Sequence, residues 1–239
     1  MIKDIQTYGD RALLINFEQK IDAKVNEEVI ALNEWILDQD IRGLKYTVPA
    51  YCSLTLAYEP SLLQQEELME RISAFARHKN RDKNESGRLL HIPVCYEEAF
   101  AVDRKEVLLQ TGLSWEEVLK LHTQTRFRVY MLGFLPGFTY MGKLPEALFC
   151  QRRKEPRLRV PKCSVGLAGF QTGIYPSIAP GGWQLIGKTP LEIFDASRPD
   201  PFLFHAGDEL HFQQIDLAEF EEMEKKVEAK SFDYESLIQ

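Results

Sequence analysis

The sequence predicts an α+β chain of two domains, a small α/β sandwich followed by a strand-rich barrel or sandwich. Three observations point there. A β-α-β-β-α order fills the first ninety residues, a run without strong apolar side chains, "RHKNRDKNESGR", follows at 77–88, and from Arg128 onward short strand-like runs are divided by Gly and Pro. With 239 residues and 44% hydrophobic content the chain can build full cores. The expected units are an N-terminal domain at 1–80, a linker at 81–88 and a C-terminal domain at 89–239.

In the first domain, "GDRALLINF" alternates like a strand. Asp22 then caps a helix whose apolar residues Val25, Val29, Leu32 and Ile36 recur at helical spacing. "LKYTVPAYCSLTLAY" reads as two strands broken at Pro49, and a second helix from about Ser61 carries Leu68, Ile72 and Phe75 on one face. In the second domain "LLHIPVCY" is a strand. "VDRKEVLLQTG" and "SWEEVLKLHTQ" are helices, each opened by a cap-and-acid pattern, Asp103 with Glu106 and Ser114 with Glu117. "RVYMLGF", "SVGLAGFQTGIY", "WQLIG" and "LEIF" are the short strands, and "DLAEFEEMEKKVEAK" closes the fold as an acidic helix capped by Asp216.

Composition narrows the function classes. Cys52, Cys95, Cys150 and Cys163 form no C-x-x-C pair, and the five histidines fall at no ligand spacing, so neither a disulfide framework nor a structural metal is expected. The start "MIKDIQTYGD" is unlike a secretory signal, and no apolar run is long enough for a membrane helix; a cytoplasmic protein without membrane contact is expected. Of the net charge of −7, the segment 216–239 carries −5, eight acids against three bases. The near-neutral remainder argues against nucleic acid as a partner, although "QRRKEPRLRVPK" has six bases against one acid and can hold phosphate or simply be a solvated loop. "GGWQLIGKT" fits G-x-x-x-x-G-K-[ST] but lacks the context of a phosphate loop. Its interior prefers a strand, and Pro190 follows where a helix would begin.

"HTQTRFRVYMLGFLPGFTYMG", "PRLRVPKCSVGLAGFQTGIYPSIAPGGWQLIGKTP", "YGDRALL" and "PAYCSL" together resemble the family of the 5-oxoprolinase B subunit, also called the kinase A inhibitor (KipI) or allophanate hydrolase subunit 1 family. The resemblance spans essentially the whole chain. It implies a small N-terminal α+β domain followed by a cyclophilin-like β-barrel. It also implies two partners, a related cyclophilin-like C subunit and a third, the A subunit, with which 5-oxo-L-proline, ATP and water become glutamate, ADP and phosphate. ATP, as its magnesium complex, would be a substrate, with no resident cofactor. Other members are described as inhibitors of a sporulation histidine kinase, and related domains occur in biotin-dependent urea carboxylase. One departure stands out: where the family pattern H-T-x-x-x-Y-R-V-Y has a tyrosine, this chain has Phe127.

Opening a lactam with ATP needs cations around a phosphate and a group that moves a proton. Arg128 beside the glycine-rich stretch, with Arg157, Arg159 and Lys162 of the basic run, are the candidate phosphate contacts. His122 is the candidate acid or base, expected to face a cleft together with Arg128; its other reading is a helix-terminal histidine bonded to a carbonyl. Phe134, Pro136, Gly137, Phe138 and Tyr140 are expected to wall that cleft. Gln171, Thr172 and Tyr175 offer amide and hydroxyl groups beside glycines, or turn structure, and Trp183 either stacks on a flat ligand or fills the barrel end.

Overall fold

Alternation along Ala12–Asn16 sends Leu13 and Ile15 to one face of a strand, where both are fully buried. The computed structural model describes residues 2–77 and 87–239, and the chain divides into two compact units, Met1–Ser86 and Gly87–Gln239. Of the linker expected at 81–88, positions 81–86 lie outside the described residues.

In the first unit β1 (Asp4–Thr7) and β2 (Ala12–Asn16) form a hairpin around Gly9, whose φ of +71° suits glycine. The alternation of "GDRALLINF" accounts only for the second of these strands. α1 (Ala23–Leu37) starts at Asp22, whose carboxylate accepts hydrogen bonds from the Lys24 and Val25 amides, and it buries Val25, Val29, Leu32 and Ile36. β3 (Leu44–Pro49) and β4 (Ser53–Tyr58) complete an antiparallel sheet in the order β1-β2-β4-β3. α2 (Gln65–Arg77) begins later than the Ser61 expected from the sequence. The Leu62 and Leu63 amides first close a turn on the Glu59 carbonyl, and Leu63 is 1% exposed.

The second unit is a closed seven-stranded barrel, as the resemblance implied. Around it run β10 (Gln171–Ile174), β7 (Thr139–Gly142), β6 (Arg126–Leu132), β13 (Glu209–Ile215), β5 (Leu89–Cys95), β12 (Gln184–Lys188) and β9 (Ser164–Ala168). β13 pairs in parallel with β5 over seven residues and antiparallel with β6, so it closes the barrel. No strand is expected here from the sequence, although Leu210 and Phe212 point inward and His211 and Gln213 do not. "LEIF" forms no named strand. Leu191 and Ile193 are buried, but the Leu191 amide bonds the Thr189 hydroxyl and the Ile193 carbonyl accepts from Leu203, leaving only an isolated bridge at Phe194.

α4 (Trp115–Gln124) and α5 (Leu217–Glu228) have the complete capping boxes Ser114/Glu117 and Asp216/Glu219. α3 (Arg104–Thr111) has none, because the Asp103 carboxylate is engaged elsewhere. Beyond α5 the chain turns back, and Gln239 donates its amide to the Leu89 carbonyl beside β5. The unit is also tied at its first described residues: Arg88 forks onto Asp208 at 2.6 and 3.2 Å, and Asp208 further accepts from the Arg88 and His205 amides. All four thiols are free, three of them buried. Among the described residues no helix is long and apolar enough to cross a membrane.

Part of the barrel wall carries a second, smaller core on its outer side. Val165, Leu167 and Ile174 point into the barrel, so Gly166, Ala168 and Gly173 lie on the opposite face. Gly166 and Gly173 are cross-strand partners; Trp183 packs over both, and the Phe138 ring over Gly173. The two-stranded ribbon of β8 (Arg157–Val160) and β11 (Ala179–Gly181) contributes Val160 and Ala179 to the same cluster. A Cβ on Gly173 would stand 2.6 Å from the Thr139 carbonyl oxygen and 2.9 Å from the Trp183 ring. Gly173→Ala is therefore expected to lower the unfolding free energy by about 1–3 kcal/mol, as overpacking does, measured by urea denaturation; unchanged stability would show that the rings can retreat.

Candidate functional site

Gly169 donates its amide to the Cys150 carbonyl at 2.6 Å, which brings the chain around Phe149 and Gln151 against the β9–β10 turn. The result is a cavity of about 390 Å³ (cavity 1) walled by Tyr140, Phe149 and Trp183, with Gln151, Gln171 and Arg152 as its longer polar side chains. Burial raises the Tyr140 phenol above its usual range, and the charge of Arg152 opposes that rise.

Segment 151–153 is pinned from four sides. Its Gln151 amide donates to the Gln110 side chain at 2.7 Å, the Gln151 carbonyl accepts from Gln184 at 3.0 Å, the Arg153 amide donates to the Gly182 carbonyl at 2.7 Å, and Arg153 Nη1 donates to Asp103 at 3.0 Å. Asp103 is the hub. Its side chain is 3% exposed, Oδ1 accepts from both Arg153 and Arg157, at 3.0 and 2.5 Å, and Oδ2 accepts from the Leu185 amide at 2.7 Å. The helix cap expected of this residue is thereby corrected. Two guanidinium groups and a strand amide occupy its oxygens instead of the helix N-terminus.

The expectation that His122 faces a cleft is also corrected, and Arg128 lines neither this cavity nor the second one described below. His122 is fully buried, stacked on Phe212 with ring centroids 4.5 Å apart and tilted against Phe127 at 5.2 Å. Thr172 donates its hydroxyl to the Gly166 carbonyl, so at His122 Nε2 it is the acceptor; His122 therefore carries its proton on Nε2 and accepts from the Tyr96 hydroxyl at Nδ1, 2.8 Å away. Burial lowers its pKa to about 3, so it is neutral at ordinary pH. Phe127, at the position where the resembling family has tyrosine, packs as hydrocarbon in this core. Arg128 is half-buried on β6, opposite Gly142 and Glu209.

The other expected site residues separate into groups. Tyr140, Gln171 and Trp183 line cavity 1. Phe138 and Tyr175 are 1% exposed and fill the outer core, while Thr172 serves His122, so these three are packing and hydrogen-bonding elements rather than walls. Trp183 is 5% exposed and sits on the outer wall rather than at the barrel end. Phe134, exposed and with φ of +66°, and the exposed Pro136 lie on the loop, and Gly137 is buried against Phe194. Arg157 and Arg159 line a different cavity, and the exposed Lys162 stands 3.9 Å from Glu192. Phe149, Gln151 and Arg152 line cavity 1 without having been expected there. Arg152 belongs to the basic run, but nothing local distinguishes it from the other arginines of that run.

The family model for the carboxyltransferase domain, subdomain C and D, matches residues 3–204. The 5-oxoprolinase B subunit of Bacillus subtilis is 38% identical over 225 residues, 88% of this chain and 92% of that one. That of Escherichia coli O157:H7 is 36% identical, over 85% and 92%. The chain belongs to the 5-oxoprolinase B-subunit family. Among solved structures, TTHA0988 superposes with a TM-score of 0.77 at 36% identity; the match covers 86% of this chain but only 40% of that one. The Kluyveromyces lactis urea carboxylase, at 18% identity and a TM-score of 0.76, shares the fold, and this chain spans 23% of it. Membership in this family, whose curated relatives are named as subunits, makes the chain a member of a family of multi-subunit enzyme components.

Two measurements check the geometry. Asp103→Ala leaves two guanidinium groups and the Leu185 amide without their acceptor, and it is expected to cost about 3 kcal/mol in denaturant unfolding, the low end for breaking a buried pair because Arg153 stays one-third exposed. For His122, the unfolded chain takes up the proton first, so the stabilisation is complete above about pH 6.5 and is lost as pH falls toward 3. Wild type should lose about 2 kcal/mol between roughly pH 6.5 and 5 through this residue, and His122→Gln should lack that part of the slope. A His122 resonance that titrates near pH 6.5 in the folded protein would disprove the buried neutral ring.

Proposed function

We propose that the chain is the B subunit of an ATP-dependent 5-oxoprolinase in the cytoplasm, and that cavity 1 holds the lactam. The observation that carries this reading is a cavity with three aromatic walls, two carboxamides and one guanidinium. 5-Oxo-L-proline is a flat five-membered lactam with a carboxylate. Aromatic faces suit the ring, Gln151 and Gln171 suit the lactam N–H and carbonyl, and Arg152 suits a carboxylate or a phosphate formed on the carbonyl oxygen.

Phosphorylation of that oxygen makes the ring carbon electrophilic. Water then adds, the ring C–N bond breaks as the nitrogen leaves with a proton, and a second water cleaves the resulting glutamyl phosphate to glutamate and phosphate. Here Arg152 would stabilise charge as it gathers on the activated oxygen. His122 is not the proton donor in this reading, since both its nitrogens are bonded inside the core.

A triphosphate does not fit cavity 1. Among the described residues no three His, Cys, Asp or Glu side chains gather as metal ligands, and cavity 1 is lined by a single cation. The A and C subunits would supply the nucleotide site. No cavity residue singles out a histidine kinase or a biotin-borne carboxyl group, so the lactam reading is preferred.

The test is lactam-dependent phosphate release by the complex reconstituted with the A and C subunits. Arg152→Ala is expected to fold, to assemble and to lose about 10²-fold in turnover, the scale of removing one charge-stabilising donor. Lys162→Ala should remain near wild type. Normal turnover in Arg152→Ala would move the chemistry to another subunit, and a complex without lactam-dependent phosphate release would overturn the proposal.

A further inference from the structure

Arg157 and Leu185, both bonded to Asp103, also line a second cavity of about 240 Å³ (cavity 2), with Phe100, Val102 and Leu185 among its apolar walls and Arg157, Arg159 and Lys188 as its cations. No acidic side chain lines it. We propose that cavity 2 is a second ligand site, for a small organic dianion, separate from the lactam site.

The charge balance sets the ligand's charge. Asp103 is shared by Arg153 and Arg157, which leaves that trio one positive charge; Lys188 is offset by Glu224 at 3.0 Å. The Arg159 side chain has no ion pair or hydrogen bond to any described residue and adds a second charge. The surplus is therefore two, the charge of a dicarboxylate or a phosphate monoester.

The geometry supplies the contact points. Arg157 gives Nη2 to Asp103, while its Nη1 is buried and bonded to no described protein atom. A buried donor of this kind calls for an acceptor, and an anion in the cavity that Arg157 lines provides one. Lys188 is held over the Phe100 and Phe220 rings, at 5.5 and 5.1 Å, which fixes the ammonium at one wall. The apolar walls favour an anion with a carbon body over inorganic phosphate.

The test is calorimetric titration of the full chain at constant ionic strength with succinate, glycerol 3-phosphate, inorganic phosphate and acetate. The expected result is binding of succinate or glycerol 3-phosphate with a Kd below about 1 mM, at least tenfold weaker in Arg159→Ala and unchanged in Arg152→Ala. Which of the two binds identifies the carboxylate or phosphate source. The proposal is overturned if neither binds at about 10 mM, if acetate or inorganic phosphate binds as tightly, or if Arg159→Ala binds like wild type. Equal weakening by Arg152→Ala overturns it too, because the ligand would then sit in cavity 1. No outcome depends on the lactam reaction, so failure here and failure of the 5-oxoprolinase reading remain distinguishable.

Discussion

The buried carboxylate of Asp103 is the interaction on which the rest of the site depends. It joins three parts that are far apart in sequence: the start of α3, the strand amide at Leu185, and the basic run through Arg153 and Arg157. A buried carboxylate is costly unless all its partners are present, so the three elements must assemble together or not at all. The two arginines on one oxygen also divide the basic run. Arg153 fixes the segment that offers Arg152 to cavity 1, and Arg157 lines cavity 2.

Glycine placement is the second constraint. Gly166 and Gly173 sit opposite each other on the outer wall, and the absence of side chains there lets Trp183 and Phe138 lie against the strands. The glycine-rich stretch at 132–142 is part of the same design. Its exposed tip holds Phe134 in a left-handed conformation, while Phe138 is driven into the outer core and Tyr140 reaches the cavity. One stretch thus serves as turn, packing and wall through successive residues.

From sequence, His122 reads equally well as a catalyst or as a helix-terminal histidine bonded to a carbonyl, and it is neither. The decision comes from long-range partners: Tyr96 lies 26 residues away and Thr172 50 residues away. With both nitrogens satisfied and the ring against Phe212, the imidazole is a neutral packing element that binds α4 to the barrel interior. The same logic separates Arg152 from Arg157 and Arg159. Sequence gives all three the same chemistry, and only the anchoring of the backbone decides which cavity each can reach.

By itself the sequence determined what local physics controls: α1 from Asp22 and its apolar stripe, the Ser114 and Asp216 capping boxes, the strand at "WQLIG" that excludes a phosphate loop, and the long motifs that carry the family. Tyr140, expected as a wall, lines cavity 1; Gln171 and Trp183 line it too, although the sequence left turn structure open for the one and filling of the barrel end open for the other. Only the tertiary structure decided that β13 closes the barrel beside β5, that Asp103 serves arginines rather than a helix end, and that His122 is interior while Arg152 is at the cavity. Capping and periodicity are set by residues three or four apart, which the sequence displays directly. Barrel closure, shared ion pairs and cavity lining join residues tens to more than a hundred positions apart, and their partners exist only once the chain has closed on itself.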